Sequence, residues 1–329
     1  MTDFLVQLHA SWGGGAFLAL SALITLLLCF VVIPFSTDKM VDNAAGLAAR
    51  LLGNRYRTLV INASTNNPEA ANMIVSMAMG RFGGWANPLG SLLANLYLIL
   101  LVAPCMVIGK YLIGGQRDAL REFVQLLRRE WRLVLWHVSL TGLTYIAGQT
   151  ALNLMLHRSV FRDPDYTPAL PATGALMWYA LLILIVALVI WIIFDRILHR
   201  QRPELFHDID DSSQADSFGQ FLLGTTILIG TAWLMNELFL SWVQIYEEAL
   251  TKAFGDAIFT GLHFILGALV TSLPEVRVAY RYFLKRSGPD LHTALGSASY
   301  SNLTNLILCV LGLVVFMILV ANGVVLPWE

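Results

Sequence analysis

The chain reads as an all-α polytopic membrane protein with about eight transmembrane helices, built as two inverted repeats with broken helices. Three observations predict it. Of 329 residues, 57% are hydrophobic and 13% charged, with mean hydropathy +0.66, whereas soluble domains run about 45–50% apolar and about 25% charged. Apolar runs of the ~20 residues needed to cross a bilayer recur along the chain. Two of those runs are interrupted in the same way. A water-soluble enzyme, a disordered chain, a collagen-like repeat and a disulfide scaffold are thereby excluded. The net charge of −1 gives no electrostatic footprint for nucleic acid.

The expected spans are 15–35, 58–80, 87–109, 133–156, 173–194, 218–246, 256–283 and 300–325. The first basic residue, Lys39, comes after the first run, so that run is read as a retained span rather than a signal peptide. The second is interrupted by Asn, Thr, Pro68 and Glu69. After the third comes a basic segment, 114–132, with Leu120, Phe123, Leu126, Leu127 and Trp131 at helical spacing, read as an amphipathic helix on the cytoplasmic leaflet. Residues 201–217 are acidic and polar, and read as a cytoplasmic linker between an N-terminal half (1–200) and a C-terminal half (218–329). The sixth span carries Glu237 and the seventh His263, at similar depth in the outer half, as a candidate proton relay. The seventh is interrupted again, at Pro274 and Glu275. Cys29, Cys105 and Cys309 fall in apolar runs without metal-ligand spacing.

Basic residues set the orientation. The loops after spans one, three, five and seven hold 4, 6, 3 and 4 Lys or Arg, against Arg81, Arg158, Arg162 and Lys252 on the other side. By the positive-inside rule the first set is cytoplasmic and both termini lie outside. The chain is expected in the cell inner (plasma) membrane, with the bilayer and transported cations as its partners and its oligomeric state open.

The two interrupted spans match. Ser64-Thr65-Asn66-Asn67-Pro68-Glu69 is followed by Gly90-Ser91 and Asn95; Val270-Thr271-Ser272-Leu273-Pro274-Glu275 is followed by Gly296-Ser297 and Ser301. Glu69 precedes Ser91 by 22 residues, and Glu275 precedes Ser297 by 22. The second span runs outward and the seventh inward, so the copies are inverted, as in many secondary transporters. Proline inside a span removes a backbone hydrogen bond, and the freed carbonyl is tolerated only where it lines a polar cavity. A carboxylate beside such a break is a functional candidate by default. Two carboxylates with hydroxyl, amide and carbonyl oxygens suit a hard cation such as calcium. Arg277, two residues past Glu275, falls near the opposite helix face and is read as reaching the cytoplasmic surface.

At these residues the chain resembles the calcium/cation antiporter superfamily, which includes the sodium/calcium exchangers. The second copy closely matches that family's Thr-Ser-Leu-Pro-Glu motif. The first keeps Thr65, Pro68 and Glu69 but has Asn66 and Asn67 where Ser and an apolar residue are usual, and Leu92 and Ala298 replace the Asn after each Gly-Ser. The resemblance makes 58–110 and 256–325 the two alpha-repeats. It implies oxygen ligands from Thr65, Asn66, Thr271 and Ser272 beside the two Glu residues, completed by Ser91, Asn95, Ser297 and Ser301; Asn302 and Asn305 are alternatives one turn away. The function it implies is a secondary-active antiporter exporting a divalent cation, Ca2+, in exchange for Na+. It is not an enzyme and has no cofactor beyond the transported ions. Alternatives are exchange for H+, Mn2+ or Mg2+ as cargo, and a cation channel.

Overall fold

The computed structural model describes residues 2–52, 66–156, 174–206, 217–254 and 258–324. Among them there is no strand. The chain opens with α1 (Thr2–Trp12) and α2 (Gly14–Leu27), which runs through a π turn (Leu28–Val32) into α3 (Ile33–Leu52). Then come α4 (Asn67–Ala78), α5 (Ala86–Tyr97), a second π turn (Leu98–Val102) and α6 (Ala103–Ile113). The amphipathic α7 (Arg117–Arg129) leads into α8 (Trp131–Met155) and α9 (Ala175–Gln201). The second half holds α10 (Phe218–Phe254), α11 (Ile258–Leu262), a π turn (His263–Gly267), α12 (Ala268–Thr271), α13 (Leu273–Phe283) and α14 (Gly288–Ala321).

Among the described residues, six stretches are long and apolar enough to cross a membrane: Gly14–Met40, Gly83–Ile113, Ala175–Gln201, Phe218–Lys252, Ile258–Phe283 and Gly288–Ala321. The protein is thus a multi-pass membrane protein. The other two expected spans differ for identifiable reasons. Span 58–80 lies partly outside the described residues, and its described part is the short α4. Span 133–156 is the 25-residue α8, long enough to cross but diluted by His137, Thr141, Thr144, Gln149 and Asn153.

Burial is arranged inside out. Large apolar side chains such as Leu23, Phe30, Leu101, Ile146, Leu182, Ile193, Leu223 and Ile318 are exposed, while Glu69, Asn95, Ser272, Glu275 and Asn302 are fully buried. That is the distribution a lipid-facing surface demands, because polar groups in hydrocarbon must find partners inside the bundle. Ile258–Phe283 is the extreme case: 78% of its apolar stretch is buried, against 24–39% for the other five. It is the most enclosed of the six by other helices.

Close packing at this centre is specific. A Cβ on Gly90 of α5 would stand 1.9 Å from the backbone oxygen of Phe264 and 2.7 Å from Ala268 Cβ. Only glycine lets α5 lie against the π turn in this way. Gly312 of α14 likewise faces Met73 Sδ and Trp85, each 2.8 Å from where a Cβ would be. Trp85 donates its Nε1 proton to the Cys309 carbonyl at 2.9 Å, and Phe82 stacks on both Trp85 and Phe316. These contacts pin the start of α5 to α14. The amphipathic α7 spends Phe123 and Leu126 on the protein rather than on lipid: both are buried, and Phe123 meets Phe283 edge-to-face at 5.9 Å.

Candidate cation-binding site

Both sequence motifs fold as a helix start. Asn66 caps α4, with Pro68 and Glu69 in its first turn; Ser272 ends α12 and caps α13, with Pro274 and Glu275 in the first turn. Proline is suited to this position because its missing N–H is unneeded there. A carboxylate in a first turn also faces the positive end of the helix dipole. Both Glu69 and Glu275 are 0% exposed.

Each carboxylate meets a serine from the long helix that comes after it. Ser91 of α5 donates to Glu69 Oε1 at 3.0 Å, and Ser301 of α14 lies 3.3 Å from Glu275 Oε1. The serines also reach across to the other motif. Ser91 Oγ is 3.4 Å from Thr271 Oγ1, and Ser301 donates to Asn66 Oδ1 at 2.8 Å. Asn95 of α5 closes the group, its Nδ2 donating to Ser301 Oγ and Asn302 Oδ1, both at 2.9 Å. A serine hydroxyl has one proton to give, so Asn66 and Glu275 compete for that of Ser301.

The structure therefore gathers Asn66, Glu69, Ser91, Asn95, Thr271, Glu275 and Ser301 into one buried polar cluster, held by these hydrogen bonds and by the close approach of the Ser91 and Thr271 hydroxyl oxygens. Ser272 is buried beside it, and its hydroxyl makes no hydrogen bond. Thr65 lies outside the described residues. Ser297, the sequence counterpart of Ser91, donates to the Thr293 carbonyl of its own helix at 3.2 Å; one turn later, Ser301 meets the carboxylate instead. Of the alternatives, Asn302 is a structural tie, donating to the Leu92 carbonyl at 3.1 Å and Thr144 Oγ1 at 3.0 Å. Asn305 is 0% exposed, and neither atom of its amide is hydrogen-bonded.

In and beside the cluster, the buried oxygens Glu69 Oε2, Asn95 Oδ1 and Ser272 Oγ accept no hydrogen bond. Buried acceptors almost always find a partner. Oxygens left open around a carboxylate are what a hard cation takes. Among the described residues no three His, Cys, Asp or Glu side chains group to hold a metal, so the donor set here is two carboxylates with neutral amides and hydroxyls.

Glu237 and His263 are each buried. Glu237 accepts from the backbone N–H and hydroxyl of Thr2, at 2.6 and 2.5 Å. His263 Nδ1 lies 3.4 Å from Asn72 Nδ2, and its ring stands edge-to-face to Phe239 and Phe259. Arg277 reaches outward, pairing with Asp38 of α3 at 2.8 Å, with both side chains substantially exposed. Sequence reasoning passes over Asn72, Asn87 and Asn236. Each is at most 1% exposed, and an asparagine inside an otherwise apolar run is the signal that marks it.

No family model, no curated protein and no solved structure matches the chain.

Proposed function

We propose that the chain is a secondary-active antiporter that moves a divalent cation, Ca2+, out of the cell in exchange for Na+, with the ions bound in turn between Glu69 and Glu275. The observation that carries this reading is the reciprocal crossing of the two motifs. The serine serving Glu69 also meets Thr271 of the second motif, and the serine beside Glu275 also bonds Asn66 of the first. Two inverted repeats meeting head to head would interlock in this manner. The open carboxylate oxygen of Glu69 supplies charge, and the open oxygens of Asn95 and Ser272 supply neutral ligands around it.

The mechanism rests on electrostatics. Two carboxylates facing one enclosed site repel unless a cation compensates them. A divalent ion does so, and sodium ions do so in its place. Only a compensated site crosses between the two facing states, and that exclusion couples the two flows. The 17 to 4 division of basic residues between the sides supports cytoplasmic placement of α7 and outside termini. Eight crossings, with α4 completing the second and α8 the fourth, accommodate that division. The test is flux: sealed vesicles carrying the purified protein should take up calcium when loaded with sodium, and Glu69→Gln or Glu275→Gln should stop it.

A further inference from the structure

Beside Glu69 lies a second buried polar group that the exchange chemistry does not use. Asn72, Asn236 and His263 are 1%, 0% and 0% exposed, and they come from α4, α10 and the π turn before α12. Each orientation is set by the one before it. Asn236 is fixed first, because its Nδ2 donates to the backbone carbonyl of Ala232 at 2.9 Å. That carbonyl can only accept. The other proton of the same nitrogen goes to Asn72 Oδ1 at 2.6 Å. Asn72 must then turn its nitrogen to the far side, where it lies 3.4 Å from His263 Nδ1. Amide orientation is ordinarily assigned from the surrounding network; here a main-chain carbonyl assigns it for both asparagines, and the second asparagine presents its nitrogen to His263.

We infer that His263 is held as the neutral Nε2–H tautomer, its bare Nδ1 ending a relay through Ala232, Asn236 and Asn72, and that Asn72 is thereby the positioning residue for Glu69. An amide nitrogen has only protons to offer, so a proton on Nδ1 would set two donors face to face. Asn72 lies three residues after Glu69 and shares its helix face. The relay ties that face to α10 on one side and, on the other, to the π turn that leads into Thr271. Glu69 accepts from Ser91 of a second helix, and one turn on along its own helix Asn72 is tied to Asn236 of α10. Gly267 keeps the acceptor accessible: a Cβ there would come within 3.4 Å of His263 Nδ1 and 3.0 Å of Asn87 Oδ1. The buried carboxylates on the elements packed around the imidazole are Glu69 on α4 and Glu237 on α10, the latter engaged by Thr2; Tyr246 and the exposed Glu247, Glu248 and Lys252 lie further along α10. His263 thus joins the relay through Nδ1 alone; its Nε2 is buried and makes no hydrogen bond.

The tautomer rests on hydrogen-bond geometry; its consequence for coupling rests on the exchange reading above. The direct test is nitrogen NMR on purified protein with 15N-labelled histidine, His263 being identified among the seven histidines by its loss in His263→Asn. The expected result is a protonated Nε2 and a bare Nδ1 across about pH 6–8, the range in which free histidine titrates. A protonated Nδ1, or a ring that gains a second proton in that range, would overturn the inference. Flux gives a second arm. His263→Asn keeps an acceptor oxygen where Nδ1 lies, so it should retain exchange with an unchanged pH profile, whereas Asn72→Leu should lower exchange about fivefold or more. Asn72→Asp offers oxygens on both sides and requires the imidazole to donate, so it should introduce a histidine-like pH dependence that the parent lacks. A parent profile that already titrates like histidine and flattens in His263→Asn would refute the relay. If no calcium–sodium exchange is seen in any form, the functional reading fails while the NMR result decides the tautomer separately.

Discussion

The hydroxyl of Ser301 donates to the amide oxygen of Asn66 at 2.8 Å, across 235 positions of chain. The contact joins the helix after the second Pro-Glu break to the residue that caps the first. With Ser91 and Thr271 at 3.4 Å it makes the two motifs parts of one site. In the proposed exchange, mutual exclusion of the two ions depends on that unity, because two carboxylates in separate pockets would have no reason to share a charge limit.

Glu69→Gln and Glu275→Gln should each lower calcium uptake by at least about 100-fold, equivalent to about 3 kcal/mol, with the protein still folded and inserted. Amide and carboxyl are nearly isosteric, so packing survives while charge compensation is lost. Flux in vesicles, beside size-exclusion profiles of the purified variants, checks both halves of the statement.

Thr271→Val should weaken sodium-driven calcium movement by about tenfold, the scale of one buried hydrogen-bonding group, and a proton-driven flux far less. Thr271 Oγ1 donates to the Gly267 carbonyl at 3.0 Å, which aims its lone pairs toward Ser91. A dehydrated sodium ion needs such a hydroxyl; a proton needs only the carboxylates. Parallel uptake assays under a sodium gradient and under a pH gradient make the comparison.

Gly90→Ala should destabilise the protein by at least about 1–3 kcal/mol, because the added Cβ meets the backbone oxygen of Phe264, which cannot rotate away. Gly109→Ala, with nothing within 4 Å of its Cβ, is the control, and should be neutral or slightly stabilising. Thermal unfolding in detergent should separate the two variants clearly.

A single cysteine at Gln125 on α7, in a background with the three native cysteines replaced, should resist impermeant thiol reagents on intact cells and react once the membrane is opened. The division of Lys and Arg between the two sides motivates the expectation. Labelling of intact cells would place α7 outside and reverse the orientation.

The breaks at Pro68 and Pro274 are legible in the sequence because proline and glutamate have no business inside a lipid-facing helix, and the structure puts both at helix starts. Ser301 is legible as a group but not in its role: the 22-residue spacing points to Ser297 as the partner of Glu275, and a helix turns nearly the same face to the neighbour at positions four apart. Which of the two meets the carboxylate is decided by how α13 and α14 cross. The sequence presents α8 as an ordinary span, yet its His137 and Thr144 face the core, where they bond Ser299 and Asn302. The relay of Asn72 and Asn236 leaves no motif at all, since it is formed by residues 164 positions apart. Hydropathy registers such asparagines only as small dips in apolar runs.

The most direct test of the central claim is counterflow in sealed vesicles loaded with sodium, with the membrane potential clamped and external calcium traced. If Glu69 and Glu275 form one site that holds either calcium or sodium, outward sodium should drive calcium in, external sodium should compete with calcium for uptake, and both effects should vanish in Glu69→Gln. Calcium that enters with no gradient and no exchange partner would show a passive pore, and would contradict the account.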